Sequence, residues 1–412
     1  MSNISDIAKY MIEKPSSIRE IMNLMAEFKK NPEKFPRPLI YLAGGWPQDK
    51  PPEVLRRSLL NVLNDTKKWI KSAQYSPTIG YPEIREAIVE YEKEIFGRKI
   101  DSNQVIFGLG STDQIGAVIN AVVDLNEEII MTAPGYLNYY RQAQFELKNK
   151  VKIKYWRIID EEGRFSPNID NLRNLISDKT KLIIITTPGN PEGIVWDDET
   201  INKIRDLAEE KGIYILLDLA YRAFIYGEKP QYLSEPLKEN EIISCTLSKE
   251  LRIPGWRASY LLVPADLVRA IETIEQARIL APVSLIQVVL TEIFRDKEKL
   301  TEIKKFYKDG ARLYATTAKK TAELLSEIPN LRILEPQGGF YVFFDISQYE
   351  KNSKKAWQEL IYKYQVALAP GIDFNNFEGW LRLSFAPVIE DQDKLWEGIR
   401  RIKEYFQRKK IK

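Results

Sequence analysis

The sequence predicts an α/β protein. A large domain with a mainly parallel seven-stranded sheet between helices is followed by a smaller α+β domain. Three observations carry this expectation. The chain has 412 residues, 44% of them hydrophobic, enough to bury two cores. Seven short apolar runs alternate with helical stretches between Val105 and Val263. Beyond Pro282 that rhythm gives way to one long helical stretch and then to further strands and helices.

In chain order, the first forty residues read as helical, with Ile18, Ile21, Met22, Met25 and Phe28 at helical spacing. Leu39 to Ala43 is a short apolar strand ending in Gly44-Gly45-Trp46-Pro47. Strands of the large sheet are expected at Val105 to Phe107, Glu128 to Met131, Val151 to Tyr155, Leu182 to Thr186, Ile213 to Leu217, Ile242 to Cys245 and Tyr260 to Val263. Helices are expected at Pro82 to Phe96, Asp113 to Val123, Glu199 to Lys211 and Asp266 to Ala277. The stretch after Pro282 runs to about Ile328 with a break near Asp296. Strands at Arg332 to Leu334, Gly339 to Asp345, Val366 to Ala369 and Trp380 to Ser384, with helices at Lys354 to Tyr364 and Asp391 to Gln407, complete the smaller unit. The expected division is 1–50 as an N-terminal segment joining the small domain, 51–290 as the large domain, and 291–412 as an interdomain helix and small domain.

Composition narrows the chemistry. Basic and acidic residues nearly cancel, at 61 against 58, so neither nucleic acid nor membrane is expected as a partner. The single cysteine, Cys245, excludes an internal disulfide framework and fits a reducing compartment. No apolar run is long enough to span a bilayer, and Met1 to Tyr10 lacks a secretory signature, so the cytoplasm is the expected location. There is no histidine. That removes Ser-His-Asp, Cys-His and His-metal chemistry, and no metal site is expected. Acid–base work near neutral pH falls to lysine, tyrosine, carboxylate or a cofactor. A Lys-, Glu- and Ile-rich chain without histidine also points to a thermophilic protein.

Five motifs can carry that work. Asp218-Leu219-Ala220-Tyr221 follows Ile215-Leu216-Leu217, so Asp218 stands at the carboxyl end of a strand, where open α/β sheets hold ligands. A buried carboxylate there needs a cation, which a protonated ring nitrogen would supply, with Tyr221 donating to a phenolic oxygen beside it; alternatively Asp218 makes a local turn. Asn190-Pro191-Glu192-Gly193 is a tight turn, or a turn whose Asn190 amide donates to the same phenolate. Gly108-Leu109-Gly110-Ser111-Thr112 precedes a helix and is either a phosphate cradle of free N–H groups or an ordinary hydroxyl cap. In Ser248-Lys249-Glu250-Leu251-Arg252-Ile253-Pro254-Gly255-Trp256-Arg257, the two cations are either a solvated face or a working pair. In the second case Lys249, buried and lowered in pKa, holds an aldehyde cofactor as an imine while the Arg257 fork grips its phosphate. Arg382, in Leu381-Arg382-Leu383-Ser384-Phe385, is a solvent-side strand residue or a bidentate carboxylate clamp. Each motif alone stays open. Their common order, mostly after strands, favours one shared site.

On these motifs the chain resembles the class I/II aminotransferases, enzymes of the pyridoxal phosphate (PLP) dependent fold type I. The resemblance runs from about Leu39 to the end and is most specific at Ser248-Lys249 through Arg257, Asp-x-Ala-Tyr, Asn-Pro-x-Gly and Arg-Leu-Ser-Phe-Ala. It implies pyridoxal 5′-phosphate as cofactor and ping-pong transfer of an amino group from an L-amino acid to a 2-oxo acid. Lys249 would hold the cofactor and shuttle the proton. Asp218 would pair with the pyridine nitrogen, Asn190 and Tyr221 with the phenolic oxygen, and Tyr136 would stack on the ring. Gly110, Ser111, Thr112, Thr246 and Arg257 would bind phosphate. Arg382 would clamp the substrate α-carboxylate, with Gly45 and Asn190 beside it. Tyr75 resembles a tyrosine that reaches the phosphate of the neighbouring subunit, implying a homodimer with shared sites. Glu192 stands where threonine is usual. Tyr41, Trp46 and Tyr139 suit an aromatic or large apolar donor, or simply pack the core. Nothing marks a pocket for a distal carboxylate, so aromatic or broad specificity is expected. Two other outcomes are a β-lyase on the same fold and a ligand-sensing regulator. The regulator is disfavoured, because the forty or so residues before the core are too few for a DNA-binding domain.

Overall fold

The computed structural model describes residues 4–14, 17–409 and 411. Part of the polar start from Met1, and the side chains of Ile18 and Met22, lie outside the described residues. Helices Asp6–Glu13 and Ser17–Lys30 form the N-terminal segment, with Ile21 and Phe28 buried.

The strands are β1 (Ile40–Tyr41), β2 (Val105–Gly108), β3 (Glu128–Ala133), β4 (Lys152–Arg157), β5 (Thr180–Thr186), β6 (Tyr214–Asp218), β7 (Glu241–Thr246), β8 (Ser259–Leu262), β9 (Arg332–Ile333), β10 (Tyr341–Asp345), β11 (Val366–Ala367), β12 (Ala369–Pro370) and β13 (Trp380–Ser384). Seven of them make one sheet in the order β2-β8-β7-β6-β5-β3-β4. Neighbours run parallel except at β8, which is antiparallel to β2 and β7.

Strand alternation divides the large domain's apolar residues between two cores. Leu182, Ile184 and Leu216 face one core with Ile115, Val118 and Ile119 of helix Ser111–Val122 and Ile271 of helix Ala265–Arg278. Ile183, Ile185, Ile215 and Leu217 face the other with Ile84 and Ile88 of helix Pro82–Tyr91 and Ile201 and Ile204 of helix Asp198–Lys211. Both faces being covered, β5 and β6 read as largely apolar runs. Each fully buried Ile or Leu contributes roughly 1.5–3 kcal/mol.

The second unit is the antiparallel sheet β12-β13-β10-β9. The N-terminal segment joins it through β1, which runs parallel to β11 with Ile40 opposite Val366. The expected strand Val366 to Ala369 is instead two, β11 and β12, which belong to different sheets. The break near Asp296 is present: helix Ser284–Phe294 ends there, and the Asp296 carboxylate caps helix Lys297–Ser326 by accepting from Glu298 N and Lys299 N. Among the described residues no helix is long and apolar enough to cross a membrane.

Candidate active site

The carboxyl ends of β2, β3, β5, β6 and β7 open onto one cleft, because parallel strands bring those ends to one edge. Ser111, Thr112, Tyr136, Asn190, Asp218, Tyr221, Thr246, Lys249 and Arg257 line it together. The motifs therefore converge, although they lie up to 146 residues apart between Ser111 and Arg257.

Asp218 is 5% exposed at the end of β6. Its Oδ1 accepts the Ala220 N–H at 3.0 Å and its Oδ2 accepts the Tyr139 hydroxyl at 2.5 Å. Burial pushes this carboxyl up to about 6, while the hydrogen bonds from Tyr139 and Ala220 and the charge of Lys249 pull the other way. Tyr139, whose hydroxyl also lies 2.8 Å from Thr186 Oγ1, had no assigned place at Asp218 in the sequence. Its only signal there is its spacing of three from Tyr136, one turn along helix Leu137–Glu146.

Lys249 sits in the single-turn helix Leu247–Glu250, capped by the Thr246 hydroxyl, which accepts from Ser248 N at 3.3 Å. Among the described residues its amine has no hydrogen bond or ion pair. Burial first, then the Arg257 guanidinium, lowers it to about 8, against the pull of Asp218. The solvated-face alternative therefore fails for Lys249. Arg257, with left-handed backbone at φ 54°, faces the helix start at Ser111. It lies so close to Gly110 that a Cβ there would stand 2.3 Å from Arg257 Nη2. Gly110 itself has φ +88°, so glycine serves both the turn and the approach.

Arg382 is 2% exposed, which excludes the solvent-side alternative. It lies on β13 between β10 and β12 and donates from Nη1 to Asn190 Oδ1 at 2.7 Å and from Nη2 to the Ala43 carbonyl at 2.6 Å. The Asn190 amide donates to the Tyr221 hydroxyl at 3.0 Å, and Tyr221 meets the Tyr341 hydroxyl at 3.0 Å. Tyr341 was not foreseen. A Cβ on Gly45 would stand 2.9 Å from its hydroxyl, so a larger residue there would have to push the Tyr341 hydroxyl aside. Tyr136 is half-buried and meets Tyr139 edge-on at 5.1 Å. Tyr41 and Trp46 pair at 5.8 Å. Tyr75 is 82% exposed and does not line the cleft of its own chain. Glu192 is buried, and burial pushes it up to about 8.

A lowered lysine, a buried aspartate and an arginine at a helix start thus share one cleft. The sequence profile of the family described as Aminotransferase class I and II matches residues 39–399. The chain belongs to that family. The aspartate aminotransferase of Pyrococcus horikoshii is 28% identical to this aminotransferase over 404 residues, 98% of this chain and 97% of that one. The aromatic-amino-acid aminotransferase 2 of Thermococcus litoralis is 27% identical, covering 96% and 97% of the two chains. The aspartate aminotransferase of Thermus thermophilus solved with maleate superimposes with a TM-score of 0.85 at 23% identity, over 98% of this chain and 100% of that one, a likeness of fold. The protein is thus a fold type I aminotransferase whose cofactor is pyridoxal 5′-phosphate.

The residues present fit that cofactor. The cleft offers one acid for a ring nitrogen, one unpartnered amine for an aldehyde, and a guanidinium with a helix start for a phosphate.

Proposed function

We propose that Lys249 is the residue on which amino transfer turns in this aminotransferase, and that its donors include aromatic and other large apolar L-amino acids. The observation that carries the reading is the Lys249 amine, unpartnered, lowered to about 8, and in one cleft with Asp218 and Arg257. Bound pyridoxal phosphate supplies the aldehyde that the amine engages and a ring that accepts the electrons of the donor's α-C–H bond. Asp218 would keep the ring nitrogen protonated, Asn190 and Tyr221 would donate to the phenolic oxygen, and Tyr136 would pack on the ring. Arg257, Ser111, Thr112, Thr246 and the backbone at Gly110 hold the phosphate. Arg382, squared by Asn190 and the Ala43 carbonyl, grips the α-carboxylate beside Gly45. Lys249 then moves the proton at the donor α-carbon, and a 2-oxo acid in the same site makes the kinetics ping-pong.

The aromatic preference is supported by the rings around the clamp. The Arg382 guanidinium lies 4.3 Å from the Tyr341 ring centre and 4.8 Å from that of Phe374, and the Tyr41–Trp46 pair flanks the Gly45 loop. A donor-by-donor screen of the first half-reaction, followed by the cofactor's visible absorbance, tests it. Phenylalanine, tyrosine or tryptophan should react with kcat/KM at least equal to that of aspartate; reaction with aspartate alone would refute the aromatic reading.

We read the assembly as a homodimer. Leu60, Leu63, Trp69, Ile70, Tyr75 and Leu280 are exposed apolar groups on segments that hydrogen-bond to one another, Thr78 Oγ1 to the Leu280 carbonyl at 2.8 Å and Ser284 Oγ to the Gln74 carbonyl at 2.5 Å. Such a patch suits a second copy, with Tyr75 reaching its phosphate site. The same reading has 51–290 as the cofactor-binding domain, with 1–50 and 291–412 forming the small domain and its connecting helix. The single free cysteine supports a cytoplasmic location.

A further inference from the structure

Between the Gly45 loop and Lys249 lies a buried ion pair to which the roles above give no task. Asp49 ends the loop that leaves Ala43 and carries Gly45. Its Oδ2 accepts Arg252 Nε at 3.0 Å, and its Oδ1 accepts the Tyr314 hydroxyl at 2.8 Å. The Arg252 side chain is 1% exposed and that of Asp49 13%. Arg252 also reaches back to its own turn, Nη1 donating to the Glu250 carbonyl at 2.9 Å and to that of Lys249 at 3.4 Å. The rings of Phe224 and Phe306 lie 4.4 and 4.6 Å from its guanidinium. Its backbone is left-handed, φ 57°, an unusual state for a residue other than glycine. The loop's other end is fixed as well, through the Ala43 carbonyl on Arg382.

We propose that Arg252 and Asp49 are positioning residues, and that the strap Ala43–Asp49, pinned by Arg382 at one end and Arg252 at the other, sets the substrate carboxylate site in register with the Lys249 amine. Two observations separate this from plain stabilisation of the fold. Among the described residues the Lys249 side chain has no hydrogen-bond partner, so its amine is placed by its backbone, which Arg252 holds. Gly45 has no side chain to anchor, so the loop depends on its two pinned ends and on the Gln48 N–H, which donates to the Ala386 carbonyl at 3.3 Å. The inference rests on the reading of Arg382 and Gly45 as the carboxylate site.

The test compares Asp49→Asn, Asp49→Ala, Arg252→Lys and Arg382→Gln holoenzymes with the parent. The donor half-reaction gives KM and kcat. Absorbance of the bound cofactor gives the dissociation constant of 3-phenylpropanoate, an unreactive carboxylate, and that of the cofactor itself. The strap predicts that Asp49→Asn and Arg252→Lys weaken 3-phenylpropanoate and raise donor KM about tenfold, with kcat reduced less and cofactor affinity held within about twofold. Asp49→Asn preserves shape, so it stands in if Asp49→Ala fails to fold. Unchanged analogue affinity and KM in Asp49→Asn and Arg252→Lys overturns the proposal, whatever the melting temperature does. So does loss of cofactor in step with loss of the analogue. If Arg382→Gln leaves analogue binding intact, the carboxylate reading itself has failed, and the strap with it. If Arg382→Gln abolishes analogue binding while Asp49→Asn leaves it unchanged, the strap alone has failed.

Discussion

Lys249 owes its chemistry to where its amine is buried. An amine attacks an aldehyde only when neutral, and burial with Arg257 nearby brings this one down to about 8. Loading of pyridoxal phosphate into the apoprotein should therefore speed up with rising pH through a midpoint near 8. Arg257→Gln removes a cation and should move that midpoint upward; Asp218→Asn removes an anion and should move it downward. Stopped-flow absorbance across a pH series reads both shifts, and a parent midpoint near the free-lysine value of about 10.4 would contradict the account. At this scale the residues legible in the sequence were those in local motifs: Lys249, Asp218, Asn190, Tyr221 and Arg257. Tyr139 and Tyr341 were not, because their contacts with Asp218 and Tyr221 span 79 and 120 residues. An aromatic side chain with no motif around it reads equally well as core. Arg382 was ambiguous because alternation gives a strand residue its face but not what covers that face.

The turn after β5 has a cost of its own. Glu192 lies in Asn190-Pro191-Glu192-Gly193, buried, with Oε2 lacking a hydrogen-bond partner among the described residues. Burial raises it from the ordinary 4.5 to about 8. Between those values the folded chain holds a proton that the unfolded chain releases, so stability falls as pH rises through that window and levels off above it. Glu192→Gln should abolish that fall, worth roughly 5 kcal/mol at the alkaline end. Melting curves should then separate variant from parent more at about pH 9 than at about pH 5; an equal separation at both would refute the assignment. Among the elements, the inner strands of the large sheet were legible because each is a largely apolar run covered on both faces, whereas the edge strand β4 alternates Lys152 and Lys154 with Ile153 and Tyr155. Helix Leu137–Glu146 was not, since its buried residues, Leu137, Tyr139, Gln142, Ala143 and Gln144, mix polar with apolar side chains and show no regular apolar period. The division of Val366 to Ala369 was hidden for a different reason. All four residues are buried, and only the partner strands show that β11 and β12 belong to different sheets.

Across the whole molecule, one chain builds the lysine, the aspartate and the carboxylate clamp, while the exposed Tyr75 does not line that cleft. The two-copy reading predicts a solution mass of twice 47.9 kDa. It also predicts that Tyr75→Ala weakens pyridoxal phosphate binding while leaving the fold's melting temperature nearly unchanged. A monomeric mass with full cofactor affinity would remove the shared-site reading. The order of motifs along the chain was enough to read the fold class and the cofactor, because the motifs at Ser111, Asn190, Asp218 and Lys249 meet at one edge of the large sheet, with Arg382 added from the small one. The register of the small domain against that edge was not legible, since it depends on side chains such as Arg382 and Asn375 that cross between the sheets. The most direct measurement is to reduce the holoenzyme with borohydride, digest it and map the modified peptide by mass. The account predicts a pyridoxyl phosphate adduct on Lys249 and on no other lysine; an adduct elsewhere, or none with Lys249 intact, would contradict it.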